Sequence, residues 1–387
     1  QPNDATQNIG NGSYSTADSY VKKVWDGRYT GIRMCNELLE NIDRVPDLDT
    51  DLKKRYIGEA KVLRAYNYYE LYTKFGDVPY TTKVLSIKES MSIARTDRAT
   101  VIANMLADLD EVINGNYLPT SYDADNKGRI TRWAAMAIKA KIYLFEGNWM
   151  QVKNITSTIM TEGGFKLFGS YAGLFEIANE YNSEVILDAQ YRPTSREHQM
   201  MYAFLPPSLG GYSQLSPLQE LVDSYIMLDG KTIKETGTSF DETHPYANRD
   251  PRLKATVMYT GNSYTLVDGT EVEINCEKGE GKDGYGVGSD CSATGYYIKK
   301  YWDNTYRATL YSGLNPILIR YADILLMNAE ALAELGELDK TSWDATIKPI
   351  RDRAGFTLAS ALEFPEGASK DKLIEIVRNE RRSELAL

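Results

Sequence analysis

Residues 50–76 read TDLKKRYIGEAKVLRAYNYYELYTKFG, a run with no internal proline. Thr50 and Asp51 offer side-chain oxygens for an N-cap at its start. Ala60, Leu63, Tyr66, Tyr69 and Tyr72 recur every three residues, and Leu71 and Phe75 add a pair four apart, predicting one broad apolar face. Glu70 precedes Lys74 by four, the favourable order for a helical ion pair. Gly76 supplies a left-handed C-cap and Pro79 prevents continuation. The spacing therefore predicts a long helix with a hard stop, packed by tyrosines more than by leucines.

Helical patterns recur on both sides. Ser19 to Ile42 carries Tyr20, Val24, Tyr29, Ile32, Leu38 and Ile42; Asp97 to Ile113 carries Val101, Met105, Leu109 and Val112. Thr131 opens a stretch with Ala134, Ala137 and Ala140 at helical spacing, leading through Gly147-Asn148 to Trp149 and a partner helix ending at Gly163-Gly164. Small residues on that face let a second helix approach closely. A similar unit runs from Tyr321 to Gly336, with Trp343 to Arg353 as its second helix. Each resembles a tetratricopeptide-type pair, although no strict period of about 34 residues survives.

Between these blocks Glu184 to Tyr191 reads as a short strand, and Val257 to Val267 as two strands turning at Gly261-Asn262. Glycines cluster without periodicity from Asp268 to Gly295, predicting loop. Long irregular connections in a compact protein are commonly where ligands bind. Arg249 and Asp250, ahead of Pro251, are expected to fix a loop by charge-assisted hydrogen bonds.

Composition excludes several functions. A net charge of −10 with no basic stripe argues against nucleic acid. No apolar run of 18 residues is present to span a membrane. Two histidines and no CxxC argue against a zinc site. Asp123, Asp125 and Gly128 imitate the start of a calcium loop, but Lys127 and Ala134 occupy positions that need oxygen ligands, so a turn is expected. No phosphate loop, dinucleotide loop, HExxH or G-x-S-x-G occurs, and the reading is of a non-enzymatic protein with no cofactor and no metal. Cys35 reads as a small core residue; Cys276 and Cys291 lie fifteen apart in the glycine-rich region, and a bond between them would contribute about 3 kcal/mol.

The stretch GEAKVLRAYNYYELYTKFGDVP, residues 58–79, resembles the helix and turn that mark the SusD/RagB family of Bacteroidetes surface lipoproteins. Further blocks repeat the resemblance in order: QELVDSYIMLDG with NRDPRLKATVMYTG, TGYYIKKYWD, and NPILIRYADILLMNAEALAE. The resemblance implies a mainly α, tetratricopeptide-like helical-repeat scaffold with an irregular, loop-rich subdomain carrying a few short strands. We expect a single SusD-like domain over 1–387, with an N-terminal helical part (1–162), an irregular insertion bearing the ligand loops (163–314) and a C-terminal helical part (315–387). Gln1 opens a polar stretch, and the chain stops at NERRSELAL inside the family's ERR-x-EL block, so truncation at both ends is expected. A lipid-bearing cysteine upstream, an outer-membrane surface location and a SusC-like TonB-dependent transporter as partner are implied by the resemblance alone.

The same resemblance implies capture of oligosaccharide, with a RagB-like peptide ligand, or a scaffold binding only the transporter, as alternatives. With 28 Tyr against 9 Phe, rings with one polar edge are plentiful; most are expected to pack helices, and a few to stack on sugars. The family places a ring in the loop ahead of its QELVDSY helix. Here that loop is PPSLGGYSQLSP and its ring is Tyr212, which proline and glycine are expected to hold out on an exposed turn. Tyr202 is a second platform, with Arg192 and Arg196 as donors. The loop before the first long helix adds Asn11 and Tyr14, with Asn8 beside them, and Tyr285 in the glycine-rich loop is a further candidate ring.

Overall fold

The computed structural model describes residues 12–305 and 310–387. They fall in two compact units, one within Asp4–Gly163 and one within Gly164–Leu387. The chain is mainly α, a tetratricopeptide-like arrangement with short strands confined to the second unit.

The first unit stacks α1 (Ser19–Asn41), α2 (Thr50–Phe75), α3 (Arg98–Asn114), α4 (Arg132–Phe145) and α5 (Trp149–Glu162), each packed on its neighbour in sequence. Caps explain the starts. Asp97 accepts from the Thr100 N–H, Thr131 from Ala134 and Asn148 from Gln151. At α2 the cap is Asp49, accepting from Leu52, and not Thr50 or Asp51, which lie inside the helix. Gly76 ends it with φ +69° but ψ −123°, a positive-φ exit outside the left-handed helical region.

The apolar face expected on α2 is corrected as well. Each third residue advances about 300° around a helix, so a strict three-residue row winds around it. Ala60, Val62, Ala65, Tyr68, Leu71 and Tyr72 are buried, whereas Leu63 is 42% exposed and Tyr66 and Tyr69 are half-buried. The buried set spreads over two sides because α1 packs on one and α3 on another. The Glu70–Lys74 pair forms at 2.6 Å.

Within the family stretch, Arg64 is 5% exposed and joins three helices. It donates to Asn36 Oδ1 on α1 at 2.9 Å and to Asp108 on α3 at 2.6 and 3.0 Å. The Tyr68 hydroxyl donates to the Thr81 carbonyl and accepts from its N–H, pinning the chain beyond Pro79. Gly58 lets Tyr117 and Leu118 approach to where a Cβ would stand 2.9–3.1 Å away. The motif thus encodes architecture.

The second unit contains β1 (Val185–Asp188), α6 (Met200–Phe204), α7 (Gln219–Ser224), α8 (Pro251–Thr256), β2 (Val257–Met258), β3 (Ser263–Thr265), β4 (Glu271–Glu273), β5 (Tyr297–Ile298), β6 (Ile317–Arg320), α9 (Tyr321–Leu335), α10 (Lys340–Ala354) and α11 (Lys370–Glu384). Three antiparallel pairs form, β1 with β6, β2 with β5 and β3 with β4. The expected hairpin over 257–267 is therefore absent. Asn262, nearly fully buried, donates to the Lys254 and Val257 carbonyls and accepts from Ser263, so the turn sends each strand to a different partner. One partner, β4, lies inside the region expected to be loop throughout.

A buried ionic cluster ties β1, α8, β6, α10 and α11. Glu384 accepts from Arg252 at 2.8 Å, from Arg320 at 2.6 Å and from Arg353. Glu184 takes Arg320 and Arg353 at 2.8 and 3.1 Å, and Glu380 takes Arg252 and Arg351, each at 2.7 Å. Asp250 pairs Arg252 at 2.6 Å, so four guanidiniums meet four carboxylates and the cluster is neutral. Asp250 thus acts through Arg252, while Arg249 donates to the carbonyls of Val222, Tyr225 and Pro245. Cys35, Cys276 and Cys291 are free thiols, and burial pushes Cys35 up to about 11 and Cys276 to about 12.

Candidate functional site

The sequence segments 191–218, 276–292 and 310–314 converge on one face of the second unit. Their anchor is an apolar cluster of Met201, Phe204, Leu205, Tyr264, Tyr297 and Leu310, against which Tyr202 and Leu209 pack from the surface. Helix α6 carries Tyr202 outward, because Met201 and Phe204 take the inward positions.

After α6 the chain makes a single 3-10 turn, Pro207–Leu209, and reverses at Gly210 with φ +82°, a left-handed conformation that suits glycine. The return strand bonds back along α6. Tyr212 N–H donates to the Tyr202 carbonyl at 2.9 Å, Ser213 to Leu205 at 3.3 Å and Leu215 to Ala203 at 2.9 Å. This register places Tyr212 over Tyr202, ring centroids 4.3 Å apart with 27° between planes. Tyr212 is half-buried in that stack and not held out alone as expected. Each ring covers one face of the other, so the two form one half-buried ledge on the apolar cluster. A hydrogen bond with Tyr212 is the main reason the Tyr202 hydroxyl titrates above an ordinary tyrosine, followed by desolvation and by smaller repulsions from Tyr212, Asp290 and Tyr311.

Tyr311, a ring that the sequence did not single out, follows Leu310 of the same apolar cluster and is 44% exposed. Its position is set from both sides. Leu310 enters the apolar cluster, and Ser312 exchanges backbone hydrogen bonds with His198 at 2.9 and 3.0 Å. The Ser312 hydroxyl donates to buried Asp303 at 2.6 Å. His198 Nδ1 accepts from Met200 N–H, which leaves Nε2 as the donor to the Leu314 carbonyl at 2.8 Å. That ring is spent on holding loops together.

Arg192 opens a tight turn in which its N–H and carbonyl pair with Arg196 at 2.8 and 3.0 Å. It is exposed, and the adjoining Pro193 meets Gly313 so closely that a Cβ there would lie 2.2 Å from the proline nitrogen. The structure thus brings Arg192, Tyr202 and Tyr212 to one loop system through the 310–314 segment. Arg196 lies with its guanidinium 5.8 Å from the centre of the Tyr191 ring. Tyr285, 40% exposed, sits on the glycine-rich loop, whose Asp283 carboxylate accepts from Ser208 N–H at 2.8 Å and so braces the turn before Tyr212. Tyr14 is 55% exposed in the other unit. Asn8 and Asn11 lie outside the described residues.

Among the described residues no cluster of three or more His, Cys, Asp or Glu is placed to hold a metal, and no helix is long and apolar enough to cross a membrane. Asp123 accepts from Asn126 N–H in a 3-10 turn.

Helical hairpins with an irregular, loop-borne aromatic surface define the class: a helical-repeat protein with a loop-rich subdomain. The chain belongs to the SusD family, which it matches over residues 174–387, and residues 2–144 match a second SusD-like family described as starch-binding associating with outer membrane. A SusD-like protein of Formosa agariphila is 26% identical over 384 residues, 95% of this chain and 68% of that one. Among solved structures, a SusD-like carbohydrate binding protein from Bacteroides fragilis superposes with a TM-score of 0.84 at 27% identity, covering 97% of this chain and 72% of that one. A laminarin binding SusD-like protein superposes with a TM-score of 0.63 at 25% identity, covering 94% of this chain and 74% of its own.

Proposed function

We propose that this protein captures oligosaccharide without cleaving it and delivers it to a SusC-like TonB-dependent transporter, from the cell surface, where a lipid anchor on the full-length protein would hold it at the outer membrane. The observation that carries the reading is the Tyr202–Tyr212 ledge with Tyr311 and Arg192 in the same loop system. A pyranose presents a face of C–H groups that packs on an aromatic plane, and its hydroxyls take hydrogen bonds from phenol, guanidinium and backbone groups. A shallow surface of this kind gives micromolar to millimolar binding, on the order of −4 to −8 kcal/mol. The relatives described as carbohydrate and laminarin binding support the ligand class.

A glycan array on the folded protein tests it. Retention of one or more oligosaccharides, with no reducing sugar released, is expected. Retention of peptides and of no glycan would move the protein to the RagB-like reading, and release of reducing sugar would overturn the non-enzymatic one.

A further inference from the structure

The second unit holds a cavity of about 360 Å³, within the range of small-molecule sites. Lys254, Lys299 and Lys300 line it, against one carboxylate, Glu176. In a chain of net charge −10 this is a local inversion of sign, the arrangement that draws anions into a cleft.

Lys300 is held by its surroundings, whereas Lys254 and Lys299 carry the charge facing the cavity. Among the described residues none of the three makes an ion pair within 4.0 Å. Lys299 Nζ donates to Asn262 Oδ1 at 3.0 Å, a neutral acceptor. Lys300, 4% exposed, donates to the Ala386 carbonyl at 2.6 Å and sits 4.1 Å from the centre of the Phe175 ring. Glu271, the nearby acid on β4, is engaged by the Ser263 and Thr265 hydroxyls and meets Lys254 and Lys299 only at longer range. Burial first, and the adjoining Lys254 second, hold Lys299 below the usual lysine value, with the more distant Glu271 opposing them only in part.

The remaining lining is largely apolar, from Phe175, Pro251, Ala255, Tyr301 and Trp302. Trp302 is half-exposed, and its indole N–H is fixed by donating to the Thr265 carbonyl at 2.8 Å. Asn304 also lines the cavity and adds an amide. A bare inorganic anion would have no use for an indole plane, and a neutral sugar none for paired ammonium groups. Trp302 packs on the same apolar cluster that supports Tyr202, so both rings stand on one body.

We propose that this cavity is a second subsite, taking a sugar unit that bears a carboxylate or a sulfate. The proposal rests on the glycan-binding reading and narrows it to acidic oligosaccharides. Affinity electrophoresis and calorimetry with polygalacturonate and alginate (carboxylate), carrageenan (sulfate) and laminarin (neutral) test it, on wild type, a Lys254→Gln/Lys299→Gln double variant and Trp302→Ala. Wild type is expected to bind an acidic polysaccharide, more weakly as salt rises. The double variant should lose on the order of tenfold in that affinity, the scale of losing charge-assisted hydrogen bonds, while melting as wild type. Which acidic polymer binds separates carboxylate from sulfate. Laminarin binding without binding of any acidic polymer, or acidic binding unchanged in the double variant, would overturn the subsite and leave the glycan-binding reading standing. Binding of none of the four would overturn the subsite, while the glycan-binding reading itself stands or falls on the array.

Discussion

Gly211 lies against the Leu205 carbonyl so closely that a Cβ built on it would stand 2.1 Å from that oxygen. The contact closes the loop that returns Tyr212 onto Tyr202. In Gly211→Ala the backbone must shift, because the obstructing atom is itself backbone. We expect a destabilisation of about 1–3 kcal/mol, the range for overpacking, read as a lower urea midpoint. Glycan affinity should fall as well. Wild-type midpoint and affinity in this variant would show that the return loop is not held as described.

Tyr202 and Tyr212 should be energetically coupled. A double-mutant cycle to Leu is expected to give about 0.5–1.5 kcal/mol of interaction, as for other stacked aromatic pairs. Strict additivity would mean the stack contributes nothing beyond burial.

Glu384 is the hub of the buried cluster, and Glu384→Gln leaves Arg252, Arg320 and Arg353 short of a counter-charge. Removing one partner of a buried ion cluster typically costs about 3–5 kcal/mol, so the variant should melt well below wild type or fail to accumulate. A melting curve superimposable on wild type would contradict the role given to the cluster.

The same cluster sets an acid limit. Burial alone would raise Glu384, but Arg320, Arg353 and Arg252 overcome it and bring it down to about 2; Glu380 is likewise lowered by Arg252 and Arg351 against its burial. A depressed folded-state value means stability present above the unfolded carboxylate value and lost as pH falls through the folded one. Stability should therefore decline between about pH 4.5 and about 2, with Asp250, raised by burial, opposing part of the loss. Thermal melts across that window check it; a melting temperature flat down to pH 2.5 would not fit.

Helix starts were legible to within a residue because caps are local: Thr131 opens its helix as read, and of Thr96 and Asp97, both able to cap the helix over 98–114, the structure uses Asp97. Asp49 was missed at α2 because three neighbouring oxygen-bearing side chains compete for one cap. Strand partners were not legible. β2 pairs with β5, about forty residues further on, which no local pattern announces, whereas β3 pairs with β4 in a local hairpin through 266–270, inside a stretch whose glycines read as loop. Glu184 reads as the start of a strand, and its value as the counter-charge of Arg320 and Arg353 depends on residues 136 and 169 positions away. Tyr212 was found from its loop, but its stacking required the return register, and Tyr311 depends on a bridge to His198 that no local pattern announces.

The most direct test of a loop-borne sugar ledge is calorimetric titration of Tyr212→Ala with the oligosaccharide that wild type binds best. The account predicts a loss of affinity on the order of tenfold or more, the scale of one lost aromatic contact, with the melting temperature within a few degrees of wild type. Undiminished affinity in a folded Tyr212→Ala protein would contradict it.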